Sequence, residues 1–366
     1  MTEETRCAIA LSYLQGVGPI RARRLLARAG SYAEAVAAQP RLLRAVGIPA
    51  AGVEQLRDGS ALRHADAELE FIARHDIRVI DCLSDDFPRR LADRPDAPIV
   101  LFYRGRASLD PPRTVGIVGT RSPSSSGRAF CERLVEDLAD YGATVVSGLA
   151  YGIDVAAQRA CVRADRPTIG VVAHGLGEVY PAAHREVARE MLRCGGLLTE
   201  YPSGLRSRRE FFPQRNRIIA AMSDALVVVE SAERGGSMIT ANLAVGYDVP
   251  VFAVPGRPRD RTSRGCNLLI KNHRANLLED AADLGYVLGW NVGDAGQPTG
   301  RTNLLFQEFA PTERRVLDEL AGGDEHDLDE LLVALGLPSG ELAATLLELE
   351  FKGAVRSLPG KRYAIA

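Results

Sequence analysis

The stretch EFFPQRNRIIAAMSDALVVVE, Glu210 to Glu230, decides the fold. Ala225 to Val229 is a short β-branched run, the kind that forms a strand buried on both faces of a parallel sheet. Ile218 to Met222 reads as the inner face of a short helix ahead of it. Arg215, Asn216 and Arg217 then fall at or near that helix's start, where the dipole disfavours cations. Cations placed against local preference point to an anionic partner from outside.

Moving outward, the same texture repeats. Strands are expected at 114–118, 143–147, 168–172, 196–199 and 250–254, with helical patterns between them. Alternation at this spacing implies an α/β fold with a Rossmann-like, doubly wound parallel sheet over residues 76–289. Residues 1–75 read as short helices with small polar breaks. WNVGDAGQPTGRTN, 290–303, reads as a linker. Residues 304–366 hold three helical patterns and a terminal hairpin, the order of a winged helix.

The totals are those of a globular protein. Formal net charge is −2 over 366 residues, so a nucleic-acid role would need a local basic patch. The six cysteines form no CxxC and no Cys/His cluster, which argues against zinc and against a disulfide framework. The N-terminal MTEETRCAIALSYLQGVGP does not read as a signal peptide, and no run approaches a membrane span. A cytoplasmic location is expected, without membrane contact.

Ligands of such sheets bind beyond the carboxyl ends of the strands. Glycine and small polar residues gather there: GIVGTRSPSSSGR (116–128), SGLAYGID (147–154), AHGLGEVYPAAHRE (173–186), EYPSGLRSRREFFPQRNR (200–217), ESAERGGSMITA (230–241) and PGRPRDRTSRGCN (255–267). Glycine admits close backbone approach, and amides at helix starts bind anions. Arg121, Arg215 and Arg217 are expected to converge on one rim. Between Arg206 and Arg217 stand five arginines against one glutamate. The candidate contacts are Gly119, Thr120, Arg121, Ser147, Gly148, His184, Arg185, Arg206, Arg208, Arg215, Asn216, Arg217 and Ser237. Each has a plainer reading. Strand-end glycines serve turns, Asp154 can cap the helix after Gly152, and the Arg206–Arg209 run can be a solvated loop. His174 and His184 lack metal-spaced partners, so their default role is structural, and Arg217 can pair with a buried acid to hold its loop.

Taken in order, GIVGTR, SGLAYGID, GLGEVYP, TEYPSG, FFPQRNRIIAAMSDALVVVE, GGSMITANLAV, VFAVPG and GCNLLI resemble the DNA-processing protein A family, also called Smf, over about 114–270. LSYLQGVGPIRARRLLARAG, Leu11 to Gly30, resembles a helix-hairpin-helix of SAM-like type. The tail resembles the winged helix of some members. The resemblance implies a homodimer that binds single-stranded DNA, protects it during natural transformation, and loads the RecA recombinase onto strands coated by single-strand-binding protein. That makes RecA and single-strand-binding protein candidate partners. It implies no catalysis, no cofactor and no metal. It assigns DNA contacts to Arg121, to the Ser147–Gly148 loop and to Arg215–Arg217. The chain departs from the family where a lysine commonly follows the Tyr-Pro of the third loop. Ala182 stands there, with His184 and Arg185 as candidate replacements for its charge. KNHRANLL also replaces a common Gly-Ala step after GCNLLI.

The flanks read less sharply. The GVGPIRARR hairpin serves equally as a phosphate contact or as a packing motif. From Thr312 to Glu350 the tail carries eleven acids against two arginines. Its third helix, about Ser339 to Glu350, has no cation, so major-groove binding by that face is disfavoured. Only Arg356, Lys361 and Arg362 of the wing argue otherwise. Two enzyme readings compete with DNA binding. A nucleotide phosphoribohydrolase of the lysine-decarboxylase-like group would need an acid–base glutamate on the helix after Gly235, and GGSMITANLAVGY has none. A dinucleotide oxidoreductase would need GxGxxG spacing, which GIVGTR lacks.

Overall fold

Six apolar runs between Thr114 and Ala253 become parallel strands because both their faces are covered. The computed structural model describes residues 2–292, 309–320, 326–351, 354–358 and 362–365. In chain order the strands of the main sheet are β1 (Arg78–Asp81), β2 (Val100–Gly105), β3 (Thr114–Gly119), β4 (Thr144–Ser147), β5 (Thr168–Val171), β6 (Gly196–Thr199), β7 (Ala225–Val229), β8 (Val251–Ala253) and β9 (Asn276–Leu277). Their spatial order is β1-β2-β6-β5-β4-β3-β7-β8-β9. The chain winds outward from β3 to β6, then returns to the other side of β3 with β7. The strand order therefore reverses between β3 and β7, which pair in register from Val115–Ala225 to Gly119–Val229.

Side-chain alternation divides the core into two layers. Val115, Ile117, Ala225, Val227 and Val229 face a cluster with Cys131, Leu134, Ala156 and Ala160. Val118, Leu226 and Val228 face the opposite cluster, with Ile218, Ile219, Met238 and Ala241. Helices Ser125–Asp137 and Ile153–Arg163 supply the first layer, and helices Phe211–Ala221 and Gly236–Gly246 the second. Strands β1 and β2 were not expected. β2 runs antiparallel to both β1 and β6, so it sits outside the strand–helix alternation that reveals the rest.

The helices of residues 3–75 share a core with this edge. Ile9, Leu11, Leu25 and Tyr32 belong to one buried cluster with Ile99, Val100 and Phe102. The Leu11–Gly30 segment holds the last two residues of helix Glu3–Ser12, a turn with Gly16 at φ +71°, and helix Pro19–Ala29 opening on proline. Arg21 donates to the Gly16 carbonyl at 2.9 Å, so one cation of that hairpin closes its own turn. Glu68 ties the helices to the strand-end loops. Its buried carboxylate accepts from the Ser203 amide and hydroxyl, the latter at 2.7 Å, and from the Tyr13 hydroxyl at 3.0 Å.

Residues 1–296 and 297–366 form separate units. The second holds helices Pro311–Leu320, Leu328–Leu335 and Ser339–Phe351. Its three-stranded sheet has Arg362–Ile365 between His326–Asp327 and Val355–Leu358. Val316, Leu331, Leu342, Leu346 and Leu349 fill its core. This is the winged-helix arrangement. The expected linker at 290–303 lies, from residue 293 on, outside the described residues, as does Lys361.

Candidate nucleic-acid interface

A cleft of about 630 Å³ opens where the strand order reverses, at the carboxyl ends of β3 and β7. The fold rule for doubly wound sheets places ligands there. Most of its wall comes from three segments, with Ala150, Asp154 and Tyr180 added from beyond β4 and β5. Gly119 ends β3, and Thr120 and Arg121 follow it. Arg209, Phe212, Arg215 and Asn216 come from helix Phe211–Ala221 and the turn before it. Ser231, Arg234, Gly235 and Ser237 follow β7.

The two strand ends are stitched together. The Thr120 amide donates to the Glu230 carbonyl at 2.8 Å. The Glu230 carboxylate accepts from the Ser124 amide at 2.8 Å and from the Ser124 hydroxyl. Gly152 must be glycine: its φ is +87°, and a Cβ would lie 2.1 Å from the Thr120 carbonyl. The Thr120 amide is thereby committed to the fold. A different set of amides lines the cleft. Helix Gly236–Gly246 begins at the wall, its N-cap Gly235 supplies no side-chain cap, and a Cβ at Gly235 or Gly236 would meet nothing within 4 Å. An uncapped helix start open to a ligand suits an anion.

The arginines divide by depth. Arg121, Arg209 and Arg234 are exposed on the rim. Among the described residues none of the three has an acid within 4 Å. Arg121 lies over the Phe212 ring, 5.6 Å from its centroid, which orients the guanidinium without neutralising it. Arg215 forms the floor at 3% exposure. It donates to the Val171 carbonyl and stands beside Asp154, whose carboxylate is steadied by the Gly148 and Ala150 amides. Burial pushes the Asp154 carboxyl up and the Arg215 guanidinium down, and each charge opposes the other's shift. Gly148 is the gap that lets them meet: a Cβ there would sit 2.0 Å from Arg215 Nη1 and 2.5 Å from Asp154 Oδ2.

Several expected contacts are corrected by this depth. Arg217 is buried and salt-bridged to Glu200, and neither residue lines the cleft. Burial pushes the Glu200 carboxyl up while the Arg217 cation opposes it. The pair holds the loop, as the plainer reading had it. Ser147 is wholly buried and donates to the Ile117 carbonyl at 2.6 Å, so its hydroxyl is spent inside the sheet. Gly148 serves the Arg215–Asp154 approach rather than the surface. His184 is buried, its Nδ1 2.8 Å from the Leu149 carbonyl, and burial holds its imidazole below the usual range. It therefore brings no cation in place of the missing lysine. Ser237 lines the cleft, but its hydroxyl is paired with that of Ser231 at 2.8 Å. Asn216 lines the wall. Arg185, Arg206 and Arg208 are exposed outside the lining, with Arg208 over the Phe211 ring at 5.9 Å.

The structure adds residues that the candidate contacts did not include. Arg209 and Arg234 complete the rim. Tyr180 and Phe212 bring aromatic rings to it, 6.0 Å apart, with Tyr180 half exposed. His174 sets the Tyr180 loop. Its Nε2 accepts from the Tyr180 amide at 3.1 Å, which requires the neutral ring with Nδ1–H donating to the Gly175 carbonyl at 2.8 Å. Arg234 stood in the quoted ERGGS run, and only its position beside the uncapped helix singles it out.

Comparison with known proteins decides the family. The family described as DNA recombination-mediator protein A matches residues 78–288, and the DprA winged helix domain matches 307–361. The chain belongs to the DNA recombination-mediator protein A (DprA/Smf) family. Protein Smf of Synechocystis is 31% identical, with 97% of each chain covered. The X-ray structure of DNA processing protein A from Streptococcus pneumoniae superposes with a TM-score of 0.66 at 29% identity, covering 78% of this chain and 98% of that one. The Helicobacter pylori DNA processing protein A, whose structure is described as showing a unique single-stranded DNA binding mode, superposes at 0.54 with 28% identity. It covers 59% of this chain and 97% of that one. Membership in the family carries a DNA-processing, recombination-mediator role. Among the described residues no helix is long and apolar enough to cross a membrane.

Proposed function

We propose that the β3–β7 cleft binds single-stranded DNA, and that the protein protects such strands in the cytoplasm and loads the RecA recombinase onto them. The observation that carries this reading is the pairing of three unneutralised rim arginines with two aromatic rings at the sheet's switch point. Cations track a phosphate backbone, and rings stack on bases only where the bases are unpaired. A duplex hides its base faces, so the rings favour a single strand. The similarity to the Helicobacter pylori protein supports the same ligand.

The protein acts by binding, without catalysis. Helix Gly236–Gly246 carries no carboxylate for acid–base work on a nucleotide, and the cleft's Asp154 is occupied with Arg215. A homodimer forms through the β9 end of the sheet. β9 is an edge strand, and Leu268, Leu277, Val287 and the 90%-exposed Tyr286 lie on or near it. The winged helix contacts protein rather than duplex, since Glu341, Glu348 and Glu350 are exposed on helix Ser339–Phe351.

Fluorescence anisotropy with single- and double-stranded oligonucleotides across a salt series tests the ligand. Single strands should bind well above duplex. The log–log salt slope should be about −0.7 per neutralised phosphate. Equal affinity for duplex at moderate salt would reject the reading. Light scattering at micromolar concentration tests the dimer, and a monomeric mass there would reject it.

A further inference from the structure

A second groove, of about 470 Å³, is lined at one point by Arg121 and runs along two packed helices. Arg128, from helix Ser125–Asp137, and Arg159, from helix Ile153–Arg163, line it and are exposed. Neither has an acid within 4 Å among the described residues. Arg163, one turn beyond Arg159, shares Glu132 at 3.3 Å and keeps more than half its side chain exposed. Four arginines against one glutamate leave this groove strongly positive. Such a cluster repels itself unless an anion spans it.

The groove also holds a braced ring. Tyr151 is 51% exposed and stands edge-on to the His184 imidazole, with ring centroids 4.9 Å apart. His184 is itself fixed by the Leu149 carbonyl. A large exposed aromatic on a rigid support, among unneutralised arginines, has the make-up of a base-stacking platform. Nothing in the packing of the two helices requires it, because their shared core is the Cys131, Leu134, Ala156 and Ala160 layer beneath.

We propose that this groove is a second single-strand subsite, in which Arg128 and Arg159 hold phosphates and Tyr151 stacks a base of the strand leaving the first cleft past Arg121. It rests on the first cleft being a single-strand site. It makes binding depend on strand length: a short strand fills the first cleft, and a longer one gains the second groove.

The test is anisotropy of the full-length chain with oligothymidylates of about 6 and about 15 nucleotides, within the range of single-strand site sizes. Tyr151→Ala should lower affinity for the longer strand about tenfold. Arg128→Ala with Arg159→Ala should lower it at least as much and make its salt slope shallower by about 1.4, two phosphates' worth. Both variants should keep the wild-type melting temperature and short-strand affinity, since the three side chains are exposed and lie outside the first cleft. Unchanged long-strand affinity and slope, with the short strand still bound, would overturn this subsite alone. A wild-type chain that binds neither strand would overturn it together with the first-cleft reading.

Discussion

The rim and the floor of the cleft are built from the same residue type and do different work. Arg121, Arg209 and Arg234 stand in solvent without acids and keep their charge for a ligand. Arg215 lies beneath them against a carbonyl and Asp154, and Arg217 is sealed behind it with Glu200. An exposed cation contributes little to folding and much to phosphate binding. A buried one is part of the fold, and losing its partner costs far more than a surface pair. The difference also corrects the expectation of cations near a helix start. Arg215 and Arg217 do not in fact stand at a helix start: the helix begins at Phe211, which puts both in its second turn, where the Val171 carbonyl with Asp154 and the Glu200 carboxylate hold them. Under the proposed reading, the external anion is left to the exposed arginines around them.

The comparison breaks first, and most severely, at Arg217. Arg217→Ala strands the Glu200 carboxylate and should cost about 3–5 kcal/mol. That is a drop of roughly 5–15 °C in melting temperature for a unit of this size. The salt slope of DNA binding by the surviving folded protein should stay unchanged. Replacing both partners, Arg217→Met with Glu200→Gln, should recover part of the loss. An unaltered melting curve with a shallower salt slope would move Arg217 from the floor to the rim.

Arg121→Ala should do the reverse. Loss of a charge-assisted contact is worth about 1.5–3 kcal/mol, which is one to two decades of affinity. The slope should lose about 0.7, one phosphate, while the melting temperature holds. A fall in stability without a change in slope would show that Arg121 is structural.

Acid should weaken the frame before it weakens the charges. Burial holds the His174 and His184 imidazoles below the usual histidine range, with the Arg215 and Arg159 cations adding to it and Glu178 opposing at His174. A depressed folded pKa means stability that is complete above the unfolded value, about 6.5, and is lost as pH falls through the folded value. Melting temperature should therefore be flat from neutral pH upward and decline below about pH 6. His174→Gln should flatten part of that decline, measured by thermal melts across pH. An identical decline in the variant would remove His174 from the account.

The smallest effect is expected from removing residues 304–366. That tail carries acids on helix Ser339–Phe351 that repel phosphate. Its deletion should leave single-strand affinity unchanged or slightly raised, measured by the same titration. A large loss would make the winged helix a DNA-binding element.

What was legible in the sequence follows from distance along the chain. The six parallel strands stood out because each is a continuous apolar run buried on both faces. The cleft's place followed from the glycines and small residues at the strand ends. Depth was not legible. Arg217 and Glu200 lie 17 residues apart, Arg215 and Val171 44 apart, and His184 and Leu149 35 apart. No local pattern names such partners, so the plainer readings of Arg217 and His184 could be stated but not chosen, and Ser147 could not be told from a surface contact. Tyr180 and Phe212 were hidden for the related reason that they lie 32 residues apart in the chain and meet only in the fold. β2 escaped because an antiparallel strand has no crossover helix to mark it.

The central claim is that the rim arginines at the β3–β7 switch point carry the DNA. Charge reversal at Arg121 tests it most directly, by titrating labelled single-stranded DNA with Arg121→Glu after its melting curve is shown to match the wild type. Reversal removes one attraction and adds a repulsion at the point where the two grooves meet. The account predicts a folded protein with no measurable single-strand binding at moderate salt. A folded Arg121→Glu protein with wild-type affinity would contradict it and place the DNA elsewhere on the molecule.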